Sequence, residues 1–109
     1  MTFSISARCA RTGMFGIAVS SSSPAVAARC AHARAGVGVV ATQNITDPTL
    51  GPKGLDLLAQ GLSAEAVMAR FSEEAPHFDY RQVVVMGASG RAVGRPVVVM
   101  HPGAWCRRR

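Results

Sequence analysis

"TFSISARCARTGMFGIAVSSSS", residues 2–23, is the stretch whose reading decides the fold. Thr2 to Arg8 alternates, with Phe3, Ile5 and Ala7 on one face and Ser4 and Ser6 on the other. A period of two marks a half-buried strand, so the apolar three are expected to point at the core. "ARTG" at 10–13 supplies a turn in which Gly13 can take a positive φ. "MFGIAVS" at 14–20 is a second strand, and the two close an antiparallel hairpin.

Working outward, the Ser run and Pro24 break the second strand, and residues 25–33 read as a short helix or an irregular loop. "GVGVVATQ" at 36–43 is a third strand, apolar on both faces and so buried on both. Its glycines suit a place where another backbone or a ligand comes close. "NITDPTLGP" at 44–52 is a loop, and "KGLDLLAQG" at 53–61 a helix that buries Leu55 and Leu58 and stops at Gly61. Ser63 caps a second helix, in which Ala64, Val67, Met68 and Phe71 recur at helical spacing. "YRQVVVMG" at 80–87 and "RAVGRPVVVM" at 91–100 are strands around the turn "ASG". The order predicts an α+β fold, an antiparallel sheet with both helices on one face. The other face of that sheet has no evident cover.

Composition bounds the function classes. With 109 residues, 49% hydrophobic and 17% charged, the chain is one globular domain. No apolar run approaches the roughly 20 residues of a membrane span. No basic segment leads into an apolar one at the start, so the expected location is cytoplasmic. The net charge of +6 resides mostly in residues 95–109, which hold four arginines and no acid. The rest carries 8 basic and 6 acidic residues. That distribution argues against a nucleic-acid-binding face. Cys9, Cys30 and Cys106 stand at no CxxC spacing, and His32, His77 and His101 at no ligand spacing, so no metal is expected. Gly87, Gly90 and Gly94 look like a dinucleotide loop. The continuation through Pro96 and Val97 is not a helix, so a hairpin turn is expected and no cofactor is implied.

Thr2 stands directly behind the start Met. A Thr hydroxyl needs a base to take its proton, and a free α-amino group on the same residue can serve, with a pKa near 8. Alone, a Met-Thr start supports no more than a strand that begins early.

Four segments carry a resemblance: "TFSISAR", "TGMFGIAVSSSSPAV", "ARAGVGVVATQNITDPTLGPKGLDLLAQGLSAEAV" and "DYRQVVVMGASGRAV". They resemble the bacterial family of unknown function 1028, assigned to the N-terminal-nucleophile (Ntn) hydrolase superfamily, over about residues 2–94. The resemblance implies an α-β-β-α sandwich and an amidohydrolase acting on a small amide or peptide-like substrate. Thr2 would be the nucleophile, its own α-amino group the proton acceptor, and Arg34 a cation near that amine. Ser20, Ser21 and Ser22 would support the nucleophile. Thr42, Gln43 and Asn44 would face the same cleft as amide donors for substrate or oxyanion.

Members of that family continue well past this length, and the likeness ends near Gly94. The expectation is that residues 1–94 form the N-terminal part of the sandwich and residues 95–109 a divergent basic tail, as from a truncated or frameshifted copy. Half a sandwich leaves an apolar sheet face bare, which predicts self-association. A non-catalytic binding or self-association domain is therefore the alternative to an enzyme.

Overall fold

The computed structural model describes residues 2–95. Strands β1 (Thr2–Arg8) and β2 (Phe15–Ser21) form a two-stranded antiparallel sheet. A four-residue helix α1 (Ala27–Cys30) leads into β3 (Ala31–Arg34), which pairs with β4 (Gly38–Gln43). Helices α2 (Leu50–Ala59) and α3 (Ala64–Glu74) follow, then a single 3-10 turn (Phe78–Tyr80). Strands β5 (Gln82–Gly87) and β6 (Ala92–Arg95) complete a four-stranded antiparallel sheet in the order β3-β4-β5-β6. The architecture is α+β, as expected, but in two sheets rather than one.

Register assigns the faces of the larger sheet. Val40 lies opposite Val85, and Thr42 opposite Val83, so these four share a face. Helices α2 and α3 cover it, burying Val40, Val83 and Val85 against Leu55, Leu58, Val67 and Phe71. Full burial of such a side chain contributes about 1.5–3 kcal/mol. Gly54 lets α2 lie close, since a Cβ there would stand 2.9 Å from both Phe71 and Val40 side-chain atoms. Ser63 caps α3 as predicted, its hydroxyl accepting from the Ala66 N–H at 3.1 Å. Lys53 on α2 bonds Glu74 at the end of α3, and with Arg70 it holds that carboxyl below the usual range.

The opposite face carries Val39 and Ala41, both fully buried. Its cover is the β1–β2 hairpin, which packs across β3 and β4. The orientation of the hairpin overturns the sequence expectation. Thr2, Ser4, Ser6 and Arg8 point inward, with Phe15, Ile17, Val19 and Ser21 opposite them. Phe3 and Ile5 point outward, 62% and 67% exposed. Alternation fixes two faces without saying which is inward. Here β2 and β4 supply the apolar contact and β1 turns its polar side in.

Two boundaries also differ. β3 lies where a helix or loop was expected, because "AHAR" has no strand signal of its own and is held by pairing with β4. Helix α2 begins at Leu50, three residues early, since Pro52 sits in the first turn, where no N–H is required. The glycine turn between β5 and β6 is a hairpin turn, with Gly90 at φ +81°. The proposed fifth strand beyond Arg95, and nearly all of the basic tail, lie outside the described residues.

Candidate active site at the start of the first strand

Thr2 opens β1 and faces inward, half-buried. Its partner in register is Ser21, and the two hydroxyls lie 2.7 Å apart. The Ser23 N–H donates to the Ser21 hydroxyl at 3.1 Å, which occupies one lone pair and fixes the oxygen. Ser20 lies across from Phe3 on the outer face, and Ser22 is exposed in the bend that follows β2. Of the three serines, Ser21 alone meets Thr2.

Two residues along the inner face of β1, the Ser4 hydroxyl accepts from the Gln43 side-chain amide. Gln43 is 3% exposed, and its carbonyl oxygen has no hydrogen-bond partner among the described residues. Such an orphan costs about 1–3 kcal/mol. Gln43 thus reaches the hairpin across the sheet-to-sheet interface, as a strand of period two requires. By the same parity its neighbour Thr42 points the other way, fully buried under the helices. The expectation that Thr42 and Gln43 share a cleft does not hold.

Asn44 and Ile45 follow at φ +52° each. A β-branched residue in that region is strained by about 1–3 kcal/mol. The strain is held in place from the far side. Asn44 donates its amide N–H to the Tyr80 carbonyl at 2.9 Å, so it is a brace and not a free donor in the cleft. Arg81, 7% exposed, donates to the Ile45 carbonyl and, at 3.2 Å, to the Pro76 carbonyl. The loop then closes on Asp47, whose carboxylate accepts from the Thr49 N–H and hydroxyl at 3.0 and 2.6 Å. Those bonds hold the Asp47 pKa below its ordinary value.

Arg34 does not join this group. It pairs with Asp56 at 2.9 Å, with both side chains well exposed, a contact of little energetic weight. It also lines a depression of about 490 Å³ together with Arg8. Arg8 ends β1 and Thr2 begins it, so that depression lies about 20 Å from Thr2 by strand rise. Its expected role beside the amine is not supported by this placement. Among the described residues no cluster of His, Cys, Asp and Glu is arranged to hold a metal ion.

The convergent set is therefore Thr2, Ser21, Ser4 and Gln43, braced by Asn44 and Arg81. Ser4 and Arg81 were absent from the sequence expectations. Ser4 was legible in the period of Thr2, Ser4 and Ser6, once the polar face is known to point inward. Nothing local marks Arg81.

The sequence model of a family of unknown function, DUF1028, matches residues 2–107. The chain belongs to this family. The match runs past residue 94, into the residues read above as a divergent tail. A crystal structure of a DUF1028 protein, SPO2555 from Silicibacter pomeroyi, superposes with a TM-score of 0.84 at 24% identity. The match covers 93% of this chain and 45% of that one, so the chain spans less than half the length of that protein. At that identity the likeness concerns the fold. No curated protein matches the sequence.

Proposed function

We propose that the chain is the N-terminal part of an Ntn-type amidohydrolase, with Thr2 attacking an amide carbonyl after removal of Met1. One observation carries the reading: the Thr2 hydroxyl, at the first residue of a strand, is held 2.7 Å from a second hydroxyl, that of Ser21. Thr2 Oγ1 bonds to the carbonyl carbon and its proton passes to the neutral α-amino group of the same residue. The C–N bond breaks, and the leaving amine takes that proton. Water then adds to the ester on Thr2, gives a proton to the α-amine, and releases the acid as Oγ1 is reprotonated. Because the Ser23 N–H already donates to Ser21, the Ser21 O–H is free to donate to Oγ1 and to stabilise charge there. The substrate class is a small amide or a peptide.

Intact-mass analysis of the purified protein is expected to show Met1 removed, and Thr2→Ala to abolish amide cleavage. Met1 retained on protein that still cleaves amides overturns the reading.

A second reading, a self-associating domain, is favoured by the exposed pair Phe3 and Ile5 on the outer face of the hairpin. It predicts a dimer in sedimentation that persists in Thr2→Ala and dissociates when Phe3 and Ile5 are both changed to Ser. A monomeric parent protein rules it out.

A further inference from the structure

Arg8 closes the inner face of β1 as a cation without a counter-ion. The ion pairs among the described residues use Arg34, Lys53, Arg70, Arg91 and Arg95, and none uses Arg8. Its Nε is occluded from solvent and has no acceptor. Two glycine turns lie against the side chain. A Cβ at Gly13 would stand 3.6 Å from Arg8 Nη2, and one at Gly90 3.5 Å from its Cδ. The first places the end of the guanidinium beside the β1–β2 turn. A cation that has lost part of its water attracts an anion more strongly than one in bulk solvent.

The depression of about 490 Å³ that Arg8 lines takes a second cation from Arg34, and no carboxylate lines it. Asp56 pairs with Arg34 at 2.9 Å. Two guanidinium groups and one carboxylate leave a single positive charge, which matches a carboxylate better than a phosphate dianion. The rest of the wall is largely apolar. Met14, 70% exposed, stands there with Phe15, Ala33 and Ala88. An inorganic anion leaves that wall unused, whereas an organic acid covers it. The volume lies in the range of about 300–1,000 Å³ that small-molecule sites occupy.

We infer that this depression binds a small organic carboxylate, with the anionic group between Arg8 and Arg34 and the apolar body on Met14 and Phe15. The inference is independent of the Ntn-type reading. Arg8 and Thr2 stand at opposite ends of β1, about 20 Å apart by strand rise, so an occupant here does not meet the Thr2 hydroxyl.

The test is a 1H–15N NMR titration of the full chain with benzoate, with its neutral counterpart benzamide, and with inorganic phosphate. Benzoate is expected to shift the amide signals of Gly13, Ala35, Gly36 and Ala88 saturably. Benzamide and phosphate are expected to bind at least about tenfold more weakly, the loss that one charge-assisted hydrogen bond predicts. Arg8→Gln is expected to weaken benzoate by the same factor. Arg34→Gln alters a well-exposed side chain and is expected to weaken it too, so it decides the matter if Arg8→Gln does not fold. Benzamide or phosphate binding as tightly as benzoate overturns the inference. So does the absence of a saturable benzoate shift, or a benzoate affinity unchanged in the folded variants.

Discussion

The two sheets are built from equally apolar strands and meet opposite fates. β4 is buried along its whole length, between helices on one side and the hairpin on the other. β1 alternates, and it shows its aromatic and aliphatic side chains to the outside. The difference is one of layers. A sheet in the middle of a stack has two covers, whereas the hairpin is the last layer of these 94 residues and has only one. The bare apolar face foreseen for the larger sheet exists, but it has moved one layer out.

Two substitution pairs and one labelling experiment sharpen that contrast, the largest effect first. Phe71 on α3 is fully buried, beside Gly54 of α2 and Phe78 of the 3-10 turn, so Phe71→Ala is expected to cost about 3–5 kcal/mol in denaturant unfolding. Phe3→Ala on the outer face is expected to stay within about 0.5 kcal/mol. A large loss at Phe3 would mean that the outer face is covered in solution.

Glycines give the second pair. A methyl group at Gly54 meets Phe71 and Val40 at 2.9 Å, so Gly54→Ala is expected to destabilise by about 1–3 kcal/mol. Gly16 in β2 has nothing within 4 Å of that position, and Gly16→Ala is expected to stabilise by about 0.4–1 kcal/mol. Thermal unfolding of both variants reads the difference. Equal signs would break the comparison.

The smallest effect is chemical. Cys9 is exposed in the β1–β2 turn, where the Thr12 hydroxyl first, then turn N–H groups and Arg8, hold its thiol below the ordinary value. Cys30 is buried beside Thr46, 3.7 Å from its hydroxyl. Peptide mapping after brief alkylation is expected to find Cys9 modified and Cys30 protected until denaturant is added.

Much of the larger sheet was legible, because its signals are local and mutually consistent. Ser63 before Ala64, Val67 and Phe71, and the apolar run at 38–43, each fix an element without help from its neighbours. β3 was not legible, since four residues with no strand preference become a strand only when β4 lies beside them. The site was half legible. Thr2 and Ser21 follow from the ends of two strands in register. The split between Thr42 and Gln43 also follows from parity, which allows adjacent strand residues to share an element but never a face. Arg34 was misplaced because a basic residue near the start of a strand says nothing about which end of a stack it occupies. Arg81 acts only through a loop that folds back over 36 residues of chain, and no local pattern carries that.

The seam between the sheets has a last consequence. Neither ladder shares a backbone hydrogen bond with the other among the described residues. The hairpin can therefore lift away as a unit, losing side-chain contacts but no rung of either ladder. Thr2 rides on the lifting part and Gln43 stays on the fixed one. The Thr2 hydroxyl and Gln43 would then separate in one movement, so amide exchange in β1 and β2 would report how often the two are together.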